Sequence, residues 1–279
     1  MLIPAGRRGF TLAETAVAMV LLLMVSGSVY RMLLSTVRLV RSQAEHIALQ
    51  SNVRGAALVV GNELRELSTA AVGGGVANDL LSLSPAAISY RAMRGFGYTC
   101  QASASGLLRI SRNAFFAYRD PQPGRDSALL YLSGTSTPTD SGWVAMAISA
   151  VNSLATCGAG EPAISLTLPG ILASMPSGTP VRIYESMELA AYQSDGQWWL
   201  GMRSLSSGEA IQPVFGPLAA ADGFRLVYSD AAQVPTAIPG LVKSITVTIR
   251  GSGTNYDNSP AGPVTEALTT QITLKNAQY

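Results

Sequence analysis

The stretch Gly9-Phe10-Thr11-Leu12-Ala13-Glu14 opens an apolar run that reaches Tyr30. A run of about 20 such residues is long enough to cross a bilayer as a helix. Its only charge is Glu14, near one end. An unpaired carboxylate in hydrocarbon costs on the order of a few kcal/mol, so an acid kept there reads as functional by default. Arg7 and Arg8 stand just ahead of the run, and Gly9 marks a small-residue junction. Positive charge beside a span places that end in the cytoplasm. The rest of the chain is then expected across the inner membrane, in the periplasm or beyond. A secretory signal peptide would show a shorter apolar core followed by a small-x-small cleavage site. Here the run is longer, carries an acid and passes through Ser26-Gly27-Ser28 into a continuing helical pattern. An uncut single-span anchor is the other plain alternative.

The helical pattern does not stop at Tyr30. Leu33, Val37, Val40, Ala44, Ile47 and Ser51 recur at steps of four and three, and the stripe shifts and resumes at Val53, Ala57, Val60, Leu64 and Leu67. Such steps lay one apolar face along a helix. Arg31, Arg38, Arg41, Glu45 and Glu63 fall off the stripe. A helix from Phe10 to about Leu67 is expected, about 87 Å long at 1.5 Å per residue. Propensity alone does not stabilise a lone helix of that length. Its first half must sit in lipid or among similar helices, and its second half must lie on a folded domain. Gly27, Gly55 and Gly61 are its softer points.

This order of basic leader, glycine, phenylalanine and a glutamate five residues into the apolar run resembles the processing site of type IV prepilins and type II secretion pseudopilins. The resemblance implies a leader at 1–9, a transmembrane or filament-core helix at 10–30, its amphipathic continuation at 31–71 and a globular β-rich domain at 72–279. It also implies that prepilin peptidase cuts after Gly9 and methylates the new amine of Phe10. Glu14 would then pair with the amine of a neighbouring subunit, or with its own, during assembly. The implied partners are that peptidase, the inner membrane before assembly, and other minor and major pilins. Many major pilins carry a proline where this chain has Arg31.

Composition fits one helix and one sizeable domain. Of 279 residues, 48% are hydrophobic and 13% charged, too apolar for a disordered chain. No second apolar run near about 20 residues occurs, so a single span is expected. The formal charge of +2 comes from Arg7 and Arg8. Cys100 and Cys157, in an oxidising compartment, suggest one disulfide, which would stabilise the fold by roughly 4 kcal/mol. Two unpaired buried thiols are the alternative. Two cysteines and one distant histidine do not make a standard zinc shell, and no cofactor or metal is expected.

After Val72-Gly73-Gly74-Gly75, expected to begin a linker, short β-branched and aromatic runs alternate with Gly, Pro, Ser and Asp. Strands are expected at Ala87 to Arg91, Leu107 to Arg112, Ala128 to Leu132, Trp143 to Ser149 and Ile164 to Leu168. Further ones are expected at Val181 to Ala191, Gln197 to Arg203, Phe224 to Tyr228, Leu241 to Ile249 and Thr265 to Leu274. Ser194-Asp195-Gly196-Gln197 reads as a hairpin turn. The fold class is therefore α+β and pilin-like, a long N-terminal helix packed on a mostly antiparallel sheet. The layout from Phe224 through Pro239-Gly240 to a last strand ending near Lys275-Asn276 looks like that of the PilW class of minor pilins and the related J-type pseudopilins.

No enzyme site assembles from the sequence, and the chain is expected not to be an enzyme. His46 lies on the long helix, a poor place for a Ser-His-Asp arrangement, and no phosphate loop, zinc-protease motif or dinucleotide fingerprint occurs. Asn255, Asp257 and Asn258 lack the spaced carboxylates of a strong calcium loop. Arg91, Arg94, Arg109, Arg112, Arg119 and Arg125 are interleaved with Tyr90, Phe96, Tyr98, Phe115, Phe116 and Tyr118, against the single acid Asp120. Such a mix could bind DNA during uptake. The plainer reading is solvated arginines and core aromatics, facing either the acidic C-terminal half or another pilin. Three functions are thus open: a minor pilin of a type IV pilus supporting motility, adhesion or DNA uptake; a type II secretion pseudopilin; or a membrane-tethered periplasmic binding module or hydrolase.

Overall fold

The computed structural model describes residues 10–69, 78–103, 105–132, 142–170, 175–253 and 262–274. Arg7, Arg8 and Gly9, the linker at Val72–Gly75, the loop with Asn255, Asp257 and Asn258, and Lys275-Asn276 lie outside the described residues. One helix, α1 (Leu12–Arg65), runs through the N-terminal region. It stops two residues short of the expected end, where Leu67 N–H turns back to the Leu64 carbonyl at 3.3 Å.

The described chain forms two compact units. The first holds the residues up to Ala48 together with Gly253 and 262–264; the second begins at Leu49, runs to Ser252 and resumes at Thr265. In the first unit the apolar side chains of α1 are open. Val17, Leu21, Leu22, Leu23 and Val25 are all exposed, and so are Leu33, Val37, Val40 and Ile47 of the expected stripe. The most apolar window of α1 has a mean hydropathy of 2.0, and it is the one described helix long and apolar enough to cross a membrane. Ser28, Ser35 and Thr36 turn their hydroxyls onto carbonyls of the preceding turn at 2.8 Å, so these groups need no water.

The second unit contains the end of α1 and the strands. Among the described residues these are β1 (Leu80–Ser84), β2 (Ala87–Ala102), β3 (Leu107–Ser111), β4 (Phe116–Ala117), β5 (Asp126–Leu132), β6 (Gly142–Ala147) and β7 (Ala150–Thr156), followed by β8 (Pro162–Thr167), β9 (Pro180–Ser194), β10 (Gln197–Ser204), β11 (Gln212–Leu218), β12 (Phe224–Ser229), β13 (Ser244–Ser252) and β14 (Thr265–Thr273). Neighbours run β12-β13-β11-β10-β9-β2-β3-β8-β7, and every pairing is antiparallel. The two long strands β2 and β9 pair along Ala87–Tyr98 and form the spine. The turn joining β9 to β10 holds Asp195 and Gly196 at φ 51° and 75°. Two left-handed residues are what a tight hairpin turn matching the strand twist requires.

The second stripe of α1 is buried as the spacing predicts: Val53, Ala57, Val60, Leu64 and Leu67, joined by Leu49 and Ala56. Each valine or leucine among them contributes roughly 1.5–3 kcal/mol of burial. A Cβ added at Gly251 of β13 would lie 2.8 Å from Leu49 and 3.1 Å from Val53. Glycine there lets helix and sheet approach. Tyr90 of β2, fully buried, donates its hydroxyl to Glu63 of α1 at 3.3 Å. A second core gathers Leu108, Ile110, Leu130, Ile164, Leu166 and Ile183 from β3, β5, β8 and β9.

Four strands are not in the sequence-based expectation. β4 is two residues long, β7 is a largely exposed strand at the end of the sheet, and β11 contains Pro213, Gly216 and Pro217, which argue against strand. β1 (Leu80–Ser84) is a short Leu/Ser run beside β2. Conversely, the strand expected from Leu241 begins only at Ser244, because Pro239–Leu241 forms a 3₁₀ turn.

Cys100 and Cys157 are joined, with Cα atoms 6.0 Å apart and a sequence separation of 57. The bond ties the far end of β2 to the segment between β7 and β8. Replacing both with serine is expected to lower stability by about 4 kcal/mol, the loop-closure value for that separation. Thermal unfolding of the detergent-solubilised chain, oxidised and reduced, reads this directly.

Candidate functional site: the start of the long helix

Thr11 is the residue before the first turn of α1, and Glu14 is its third helical position. Thr11 N–H donates to Glu14 Oε2 at 2.9 Å, the Thr11 hydroxyl donates to the same oxygen at 3.1 Å, and Glu14 N–H donates to Thr11 Oγ1 at 3.3 Å. This reciprocal pair is a capping box, which satisfies helix-start donors that have no partner in the helix. Thr15 adds a hydroxyl bond to the Leu12 carbonyl at 2.9 Å. The signal was present in the sequence as Thr-x-x-Glu before an apolar run. Glu14 thus does local work in the single chain, as well as being the lone acid of the apolar run. Phe10, 86% exposed, stands immediately before this box with its backbone outside the helix. His46 is exposed on the same helix, within the first unit.

The six-arginine segment lies wholly in the second unit, and its side chains, from buried Arg91 to exposed Arg112, are engaged within that unit. Arg94, Arg119 and Arg125 converge on Glu185, at 2.9, 3.3 and 2.5 Å. Glu185 is 1% exposed and belongs to β9. Arg119 also makes a two-pronged pair with buried Asp126, and Arg125 reaches Glu209 at 2.8 Å. Arg112 grips Asp120 through both terminal nitrogens at 2.8 and 3.0 Å. Arg109 donates to Gln101 and to the Thr156 carbonyl. Arg91 is buried, donates to the Asn78 carbonyl and stacks over Tyr184, 5.2 Å from the ring centre. Arg94 sits at a one-residue bulge where β2 slips against β9, and a bulge re-aims a side chain.

The guanidinium groups that a phosphate backbone would need are therefore held by carboxylates and carbonyls of the same unit. Arg94, Arg119 and Arg125 pair with acids of the C-terminal half, as one of the readings of this segment expects. Tyr90 is core, whereas Phe116 and Tyr118 are 70% and 83% exposed. The sequence-based reading of the segment does not include the acids that organise the cluster. Their signal was the alternation Val181, Ile183, Glu185, Met187, Leu189, which places an acid on the inward face of a strand.

Burial pushes the Glu185 carboxyl up, but hydrogen bonds from Ser204, Arg94 and Arg125 outweigh it and hold the group below its ordinary 4.5. Asp79 behaves oppositely. Burial dominates and raises it above 3.8, despite Arg182 at 3.0 Å and the Ser68 N–H at 2.9 Å.

A long N-terminal helix with an apolar first half, followed by an antiparallel sheet unit, defines a pilin-like α+β architecture. Residues 4–30 match the family model for the prokaryotic N-terminal methylation motif, the prepilin signature of type IV pilins and pseudopilins. No curated protein and no solved structure matches the chain.

Proposed function

We propose that this chain is a minor pilin, a structural subunit and not an enzyme, that takes part in type IV pilus assembly or priming. Prepilin peptidase hydrolyses the Gly9–Phe10 bond, and the freed Phe10 amine is methylated. The subunit waits in the inner membrane with its sheet unit in the periplasm. Its exposed apolar helix then moves from lipid into contact with other minor and major pilins. The observation that carries this reading is the methylation-motif match over residues 4–30, joined to a helix whose apolar first half is exposed.

Hydrophobic surface of that extent on a single chain needs lipid or a partner. The charge needs one as well: a carboxylate entering a low-dielectric core is stabilised by a cation that arrives with it, and the new Phe10 amine is such a cation.

Mass spectrometry of the N-terminal peptide from purified membranes tests the proposal. A mature chain beginning with N-methylated Phe10 is expected. Intact protein bearing Met1, in cells with active prepilin peptidase, would overturn it. Deleting the gene is expected to reduce surface filaments. Lost protein secretion with filaments unaffected would instead assign the chain to a type II secretion pseudopilus.

A further inference from the structure

Three arginines stand where the apolar run of α1 ends. The run closes at Tyr30, and Arg31, Arg38 and Arg41 follow it. No acid occurs between Glu14 and Glu45, so three bases against none leave this collar at +3. All three side chains are exposed, and among the described residues none of them enters an ion pair or a hydrogen bond. Arg94, Arg119 and Arg125 of the second unit, by contrast, are all held by carboxylates. Arg31 and Arg38 are two helical turns apart and so share one face of α1. A shallow recess on that face is lined by Arg31, Leu34, Ser35, Arg38, Leu39 and Ser42. The Ser35 hydroxyl donates to the Met32 carbonyl at 2.8 Å, which leaves the guanidinium groups as the charged donors of the recess.

The apolar side chains between the arginines are open as well. Met32, Leu33, Leu34, Val37, Leu39 and Val40 are all exposed. Exposed leucine and arginine mixed on one short helical stretch suit a membrane interface, where apolar groups enter the acyl boundary and cations meet the head groups. Depth decides what lies within reach. Residues 10–30 rise about 31 Å at 1.5 Å per residue, which matches a hydrocarbon core of about 30 Å. Arg31 therefore stands at the boundary of that core, and the head groups occupy roughly 5–7 Å beyond it. Arg38 starts about 10.5 Å further along the axis. Long helical side chains lie over the turn N-terminal to their own Cα, about 5.4 Å back, and on this chain that direction is toward the bilayer. The Arg38 guanidinium thus reaches the head-group layer, and Arg41 adds charge at its edge.

We infer that Arg31 and Arg38 form a binding site for the phosphate of an anionic phospholipid, in the leaflet on the side of the membrane away from the leader. Guanidinium and phosphate make charge-assisted hydrogen bonds of the strong kind. An anionic lipid is selected over a zwitterionic one because the collar holds no acid. A choline or ethanolamine cation would sit against the same arginines that attract its phosphate, whereas an uncharged head group would not. Interfacial anchors of this kind set the depth and tilt of a spanning helix. The inference rests on the membrane-spanning reading of α1 and adds the lipid class to it.

The test is native mass spectrometry of the full chain in detergent, with added phosphatidylglycerol or phosphatidylcholine. Wild type is expected to retain phosphatidylglycerol about tenfold better. Arg31→Gln/Arg38→Gln is expected to lose that preference. Arg54→Gln/Arg65→Gln removes the same charge from exposed positions of the second unit, and Arg7→Gln/Arg8→Gln removes it from the leader. Both are expected to keep most of the preference. Inorganic phosphate, compared with chloride at equal ionic strength, is expected to leave it in place. A preference that survives in Arg31→Gln/Arg38→Gln, that is lost in either control variant, or that inorganic phosphate abolishes would overturn the inference. Flotation of the same chain with phosphatidylcholine vesicles separates the two readings. A chain that does not float overturns the membrane-spanning reading together with the site; one that floats but shows no head-group preference overturns the site alone.

Discussion

Glu185→Ala is expected to lower the thermal unfolding midpoint of the second unit by roughly 10 °C, equivalent to about 3–5 kcal/mol. The size follows from what would be left behind. Glu185 is 1% exposed, and Arg94, Arg119 and Arg125 all contact it. Asp126 and Glu209 each hold one of those arginines as well, whereas the ion pair of Arg94 among the described residues is with Glu185. Removing the carboxylate strands guanidinium groups that cannot return fully to water. Glu185→Gln preserves volume and is expected to cost less.

The pH dependence has a fixed sign. The folded-state value of Glu185 lies below its ordinary 4.5. Its stabilisation is therefore present above that value and lost as pH falls through the folded one. The wild-type chain should lose midpoint temperature on acidification below about pH 4.5, and Glu185→Gln should flatten that limb. An alanine variant within 2 °C of wild type, an arbitrary threshold of roughly 1 kcal/mol or less, would show that the cluster contributes nothing.

Glu14→Gln is expected to leave leader removal near wild type and to reduce incorporation into sheared filaments by about tenfold or more. The capping box makes this variant more informative than alanine. Glutamine retains the acceptor for the Thr11 N–H and so keeps the helix start; it lacks only the charge. Thr11→Ala does the reverse, weakening the cap and keeping the carboxylate, and should assemble far better than Glu14→Gln. Wild-type incorporation of Glu14→Gln alongside failure of Glu14→Ala would reduce Glu14 to a cap.

Several features were legible before any coordinates. The apolar run and its single acid dictate a long helix, because no other backbone satisfies its own polar groups in lipid. The four-three spacing of Val53, Ala57, Val60, Leu64 and Leu67 identified the buried face correctly. The alternation from Lys243 to Ile249 and the Ser194-Asp195-Gly196-Gln197 turn located their strand and hairpin. β11 was hidden because its prolines and glycine deny strand locally, while its neighbours β10 and β13 hold it in place.

The arginine segment shows the limit most clearly. Six arginines and six aromatics in 36 residues carry the same composition whether they face a nucleic acid or a buried glutamate. Glu185 lies 60 residues beyond Arg125 in the chain and is brought beside it only by the pairing of β9 with β2 and β5.

The sequence by itself determined the helix, its membrane-length apolar half, the processing motif and the antiparallel sheet class, since each depends on residues near one another in the chain. The tertiary structure alone decided which charges are spoken for and that Cys100 and Cys157 meet. Those outcomes depend on distances between residues far apart in sequence, which local periodicity does not encode.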